Sequence, residues 1–242
     1  MSALQLCYLL AVAITSVTAA LPSFVPACKK DDPKLDECFL NTINTIQPQM
    51  KKGIPELKIP TMEPLELSKV NVPQFLEEFI HLELENLKIH GAGDFKLINV
   101  HVDLKDNEFS GELEIPHLEF GADYNLALEV SNLTVKGKGD IKGTATDCKG
   151  NFVLKGELKE RNGEKHFHFN QLNVIIRVDK IHATLNGLIK GDVLMGDKHQ
   201  HGAADMDLWL LLRPTIQDTI AEVAKDIVNG IAEVIVVDEL FP

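Results

Sequence analysis

The stretch TIQDTIAEVAKDIVNGIAEVIV, running from Thr215 to Val236, decides the fold. Ile216, Ile220, Val223, Ala224, Ile227, Val228, Ile231, Val234 and Ile235 recur at three- and four-residue steps. This is the apolar stripe of an amphipathic helix. Gln217, Asp218, Glu222, Lys225, Asp226 and Glu233 occupy the other face. Thr215 with Asp218 three residues on resembles a capping box, and Pro214 sits just outside, where it ends the preceding strand. At ~1.5 Å per residue such a helix is roughly 33 Å long and needs an equally long apolar surface to lie against.

Upstream, from about His81 to Arg213, the apolar period changes to two. Leu82 and Leu84, Leu87 and Ile89, Phe95 and Leu97, then Val100, Val102 and Leu104 follow one another. Leu113 and Ile115, Tyr124 to Val130, Phe152 and Leu154, Phe167 and Phe169, and Leu172 to Val178 continue the series. Turn signals separate them at Gly91-Ala92-Gly93, Asp106-Asn107, Gly137-Lys138-Gly139, Lys149-Gly150-Asn151 and Asn162-Gly163. This spacing predicts an antiparallel meander. Parity switches between Leu97 and Val100 and between Phe169 and Leu172. Each switch needs a bulge, and bulged long strands make a strongly curved sheet in whose trough the helix can lie. Ala203 to Arg213 reads as a last strand with both faces apolar, Leu208 and Leu210 on one, Trp209 and Leu211 on the other.

Toward the N-terminus, Asp31 or Asp32 can cap a helix entered through Pro33, with Leu35, Phe39, Ile43, Ile46 and Met50 on its apolar face and Pro48 kinking or ending it. From Gly53 to Leu65 the prolines are dense enough to forbid both helix and inner strand, so this segment reads as an extended arm strapped across a surface.

Residues 1–20 read as a secretory signal peptide: an apolar run from Leu4 to Val17 without charge, then the small residues Thr18, Ala19 and Ala20, with cleavage after Ala19 or Ala20. The competing reading, a membrane anchor, meets a run short for a bilayer. Residues 21–242 then form one domain of a secreted protein. The net charge of −12 argues against nucleic acid and anionic lipid surfaces as partners, and no other segment is apolar enough for stable membrane insertion. Cys28 and Cys38 bracket one short loop and pair naturally in an oxidising compartment. Cys148 is left over, either as a buried thiol or as a disulfide between chains.

Signals for catalysis are absent. Ser23, Ser68, Ser110 and Ser131 lie outside any nucleophile elbow, and no phosphate-binding glycine loop joins a strand to a helix. His199 and His201, near Asp197, Asp205 and Asp207, are metal-ligand types but read as a solvated loop, so no metal and no cofactor are expected. His166 and His168 alternate with Phe167 and Phe169, which predicts that the histidines face water. Asn132-Leu133-Thr134 is a glycosylation sequon at a strand end.

Leu21-Pro22, the Cys28 and Cys38 pair, Gly53-Ile54-Pro55-Glu56-Leu57, Met62-Glu63-Pro64-Leu65 and the terminal Asp238-Glu239-Leu240-Phe241-Pro242 resemble the signature of the insect takeout and juvenile-hormone-binding protein family. Asn86 to Gly91 and Leu118 to Tyr124 are similar as well. The resemblance implies an α+β fold, a long C-terminal helix wrapped by a highly curved antiparallel sheet in a TULIP-like super-roll, with an internal apolar tunnel. It implies a secreted, monomeric, non-enzymatic carrier of a small hydrophobic ligand: a terpenoid such as juvenile hormone, a fatty acid or a similar lipid. Cys148 lacks the partner for the second disulfide of the juvenile-hormone carriers proper, which favours a takeout-like member. Candidate wall residues are Phe95, Leu97, Tyr124, Leu126, Leu128, Phe167, Phe169, Ile227 and Ile231, with the Tyr124 phenol as a polar handle for an ester or epoxide. The alternative is an extracellular interaction protein with a filled core, docking through the arm from Gly53 to Leu65.

Overall fold

A computed structural model describes residues 21–71, 80–130, 133–190, 193–194 and 203–242. The segment read as a signal peptide, Asn132, His199 and His201 lie outside the described residues, as do the side chains of 203–212.

Two very long strands make the frame. β4 (Glu108–Val130) and β5 (Leu133–Arg161) pair antiparallel from Glu108 opposite Lys155 to Val130 opposite Leu133. β1 (Leu65–Asn71) and β2 (Ile80–His90) extend the sheet beyond the second half of β4, and β3 (Lys96–Asp103) pairs with its first half. On the other side of β5 lie β6 (Glu164–Arg177), β7 (Lys180–Leu185) and β8 (Leu188–Lys190) in series, followed by β9 (Val193–Leu194). The result is a single curled antiparallel sheet carrying a long C-terminal helix.

Asp106-Asn107 and Asn162-Gly163 turn the chain, with left-handed φ of 51° at Asn107 and 54° at Asn162. Gly137-Lys138-Gly139 and Lys149-Gly150-Asn151 do not: both run inside β5. The glycines serve curvature instead. A Cβ on Gly111, Gly139, Gly143 or Gly156 would collide with the carbonyl oxygen of Asn99, Asn186, His182 or His168 respectively. A sheet this curled brings the next strand's backbone in where a side chain would stand. Both parity switches are bulges, between Leu97 and Asn99 and at the step from Phe169 to Gln171 opposite Lys155 and Gly156. A third bulge, between Glu85 and Lys88, carries Asn86 at φ 53°.

The helix α1 (Leu35–Met50) contains Pro48 and is preceded by Asp32, whose Oδ1 accepts a 2.8 Å bond from the Lys34 amide. The long helix α2 runs Ala203–Ala232 with Pro214 inside it, so the strand expected over Ala203 to Arg213 is helical and the helix does not begin at Thr215. Ala203 to Arg213 holds no β-branched residue, only strong helix formers among its apolar positions apart from Trp209, and that propensity outweighs its apolar alternation. The helix ends earlier than its stripe: Val234 and Ile235 fall in the turn before a short helix α3 (Val237–Leu240).

The core gathers at one end. Phe109 packs edge-on against Phe167 and Phe169, with ring centroids 5.3 and 5.7 Å away, and Phe39 and Phe241 complete the cluster. The arm between Gly53 and Leu65 belongs to this core: Ile54, Leu57 and Ile59 are 3 %, 1 % and 3 % exposed. It is not extended throughout, since Pro55–Leu57 makes one 3-10 turn closed by a bridge between Ile54 and Ile59. The termini clamp the same end, with the Cys28 amide donating to Leu240 O at 2.7 Å and the Cys28–Cys38 disulfide joining the N-terminal segment to α1. Thr42, 2 % exposed, donates to Pro26 O at 3.0 Å and fixes that segment from the helix side.

Candidate functional site

Inward-facing residues follow the strand pairing. Leu82 lies opposite Leu126, Leu84 opposite Tyr124, and Tyr124 in turn opposite Gly139; Ala122 lies opposite Ile141, which pairs on with Leu185, and Leu118 opposite Ala145, which pairs on with Ile181. The other parity, Glu119, Gly121, Asp123 and Asn125, faces outward. The inner surface is therefore apolar, as period-two patterning dictates.

Covering of this surface is uneven. Around Phe109 the rings of Phe167, Phe169 and Phe241 are buried, with Leu97, Phe152 and Leu172 partly covered; in the other half Val70, Ala122 and Tyr124 are buried, while Leu82, Leu84, Leu126, Ile181 and Leu185 are partly covered, as are Ile216, Val223 and Ile227 on α2. Ile220, in the middle of the expected stripe, is 42 % exposed. Among the described residues, the sheet half beyond the aromatic cluster thus presents an apolar lining that is covered only in part.

Attachment of α2 to the sheet runs through polar side chains. Asn229 accepts from the Phe169 amide at 2.8 Å and donates to the Phe169 carbonyl at 3.0 Å, at the bulge of β6. Twelve residues earlier in the helix, Gln217 accepts from the Ile176 amide at 2.9 Å. Gln217 therefore does not sit on a solvated face; it pairs part of the outer backbone edge of β6, which otherwise invites another strand. His166 departs from expectation in the same way. It is half-buried, and its Nδ1 lies 3.3 Å from Ala232 O at the end of α2 and 2.9 Å from Ile235 O in the turn after it, so the ring must donate to these carbonyls. The Lys58 and Glu233 pair, 2.6 Å apart, ties the arm to the same helix end and holds the Glu233 carboxyl below its usual range.

The nine residues expected as wall are spread over different parts of the fold. Leu97, Phe167, Phe169 and Ile231 pack in or on the aromatic end cluster. Leu126 and Ile227 belong to the partly covered half, Phe95 is partly buried just before β3, and the side chain of Leu128 lies outside the described residues. Tyr124 is 2 % exposed, and its hydroxyl donates to Asn186 O at 2.7 Å. Burial, together with the charge of Asp140, pushes the phenol up from its ordinary value. With its proton committed to Asn186, Tyr124 has no donor left for an ester or epoxide and instead anchors the link between β7 and β8 over Gly139. Leu82, Leu84, Ile181 and Leu185 join this inner face through strand pairing alone, opposite Leu126, Tyr124, Ala145 and Ile141 respectively.

Cys148 is free, buried and has its thiol pushed up to about 11 by burial and by Asp147 and Asp179. It is 6 % exposed. Among the described residues, no helix is long and apolar enough to cross a membrane.

A family model described as haemolymph juvenile hormone binding protein matches residues 7–242. The circadian clock-controlled protein daywake of Drosophila melanogaster is 23 % identical over 239 residues, covering 91 % of this chain and 88 % of daywake. The crystal structure of Takeout 1 from Epiphyas postvittana superposes with a TM-score of 0.54 at 17 % identity, over 86 % of this chain and 90 % of that one.

Proposed function

The chain belongs to the haemolymph juvenile hormone binding protein family, a family of hydrophobic-ligand carriers, and we propose that it is itself a secreted carrier enclosing one small hydrophobic ligand. The observation that supports this reading is the partly covered apolar lining on the inner face of the sheet. A chain that packs Phe109, Phe167, Phe169 and Phe241 closely at one end leaves Leu82, Leu84, Leu126, Ile181, Leu185 and Ile227 partly uncovered at the other. Apolar surface left uncovered costs about 25 cal/mol per Å², and an apolar ligand removes that cost. The lining offers branched aliphatic groups and few polar ones, which suits an extended terpenoid or fatty acyl chain.

The arm does not support docking through Gly53 to Leu65, because its apolar residues are spent in the core.

Native mass spectrometry of the secreted protein, followed by solvent extraction, tests the proposal. A lipid recovered at one-to-one stoichiometry, or saturable uptake of a fluorescent fatty acid or terpenoid, is the expected result. An empty protein that takes up neither probe overturns the carrier reading.

A further inference from the structure

On the outer face of the sheet, remote from the apolar lining, lies an open saddle of about 750 Å³ bounded by β2, β4, β5 and β7. Its floor is Gly121. A Cβ there would meet nothing closer than Ile141 O at 3.7 Å and Lys142 Cγ at 3.8 Å, ordinary contacts. This sets Gly121 apart from Gly111, Gly139, Gly143 and Gly156, where a Cβ would collide with neighbouring backbone. Folding needs those four glycines for space; the missing side chain of Gly121 only leaves bare backbone at the bottom of the saddle.

Charge is ordered around that floor. Strand pairing places Lys88 and Lys142 on either side of Gly121 in one row across the sheet. Two residues along, about 7 Å by strand rise, Asp123 lies opposite Asp140 in the next row. The lysines have partners that release them easily: Lys88 pairs with Glu66 at 2.8 Å and Lys142 with Asp140 at 3.8 Å, all four side chains well exposed. Such pairs contribute little. Each aspartate accepts one amide hydrogen bond, Asp123 from Asn86 at 2.8 Å and Asp140 from Asn186 at 3.0 Å. A carboxylate has further lone pairs to offer a cation.

We propose that this saddle binds a zwitterion, its phosphate over Gly121 between Lys88 and Lys142 and its ammonium between Asp123 and Asp140, as in phosphocholine or phosphoethanolamine. A simple anion would feel the two aspartates as repulsion, and a simple cation the two lysines. The row spacing suits a phosphate and an ammonium joined by a two-carbon linker. The site is independent of the carrier reading, because every group it uses points away from the inner face.

Calorimetric titration of the whole secreted protein with phosphocholine is the test, with inorganic phosphate as the comparison. Saturable one-to-one binding of phosphocholine, at least tenfold tighter than phosphate, is expected. K88Q/K142Q and, separately, G121V should each weaken it at least tenfold while uptake of a fluorescent fatty acid stays unchanged. K136Q/K138Q, on the same strand but outside the saddle, should leave it intact. Should G121V not fold, the double lysine variant decides alone. Vesicles distinguish the source: phosphatidylcholine vesicles bound by wild type and not by K88Q/K142Q assign a lipid headgroup, and binding of free phosphocholine only assigns a soluble zwitterion. No saturable binding, phosphate bound as tightly, or variants indistinguishable from wild type overturns the proposal.

Discussion

The ring of Phe120 lies over Gly143, its cross-strand partner: a Cβ on Gly143 would stand 2.9 Å from Phe120 Cε2 and collide with Phe120 Cζ. The same relation recurs between Phe152 and Gly111, and in sequence pairing between Tyr124 and Gly139. Aromatic residues opposite glycines allow a sheet to curl while the ring fills the space that the glycine leaves.

Replacing Gly143 by alanine therefore forces both the Phe120 ring and the His182 carbonyl to move. We expect G143A to destabilise by about 1–3 kcal/mol in urea unfolding, the range of overpacking. G121A, where nothing stands in the way, should change stability by no more than about 0.5 kcal/mol. Equal effects at the two positions would mean that curvature does not depend on the Phe120 and Gly143 contact.

Asn229 satisfies both backbone groups of Phe169 at the β6 bulge. Truncation to alanine leaves a partly buried amide and carbonyl unpaired. The expected cost is about 1–3 kcal/mol, with faster hydrogen exchange at the Phe169 amide than elsewhere in β6. An unchanged exchange rate in N229A would remove the role of Asn229 in holding the helix to the edge.

These residues also show what a sequence conceals. The parity switches at Leu97 and Phe169 were legible, because a bulge must change which face a side chain takes. The glycines of β5 were not, since Gly137-Lys138-Gly139 in a turn and in a coiled strand are spelled alike, and only the approach of Asn186 distinguishes them. Gln217 and His166 looked like water-facing groups because their partners are backbone atoms more than 40 residues away. Phe167 and Phe169 were legible as inward-facing, but a close-packed end and an open lining share one apolar alphabet, so nothing local divides them. The strand expected before Pro214 failed for a readable reason, the lack of β-branched residues.

His101 gives the structure a pH dependence. Its Nδ1 lies 3.0 Å from Asp36 Oδ2 on α1, while Asp36 Oδ1 accepts from the Val102 amide at 2.8 Å. The hydrogen bond and charge of Asp36, with Asp103 and Glu108 behind it, raise the imidazole above its usual 6.5. A raised folded value means that the protonated form stabilises. That contribution is complete below about pH 6.5 and disappears as pH rises through the folded value. The stability difference between wild type and H101N should be largest in mild acid and fade toward pH 9 in paired thermal melts. The ring is exposed, so the effect is small; a difference that grows with pH would reverse the assignment.

Cys148 should be silent to thiol reagents. A buried thiol held up to about 11 carries almost no thiolate near neutrality. Native protein mixed with Ellman's reagent at pH 8 is expected to release less than about 10 % of one equivalent over an hour, rising to a full equivalent in guanidinium. Rapid labelling of the native chain would show that the thiol is accessible, and a reducible dimer on gels would show that it pairs between chains.

Processing at the N-terminus has a partner waiting. The Leu21 nitrogen lies 2.7 Å from Glu239 Oε2, beside the junction where Cys28 and Lys30 pair with Leu240 and Pro242. Cleavage after Ala20, one of the two positions the leader offers, would turn that amide into an ammonium and the hydrogen bond into an ion pair at a partly buried carboxylate. Edman sequencing of secreted protein should then begin at Leu21. E239Q should cost the processed protein up to about 1 kcal/mol, and cost a version retaining Ala20 less, because an amide gains less than an ammonium from a charged acceptor. Secreted protein that begins several residues after Leu21 and keeps full stability would separate the Glu239 contact from processing.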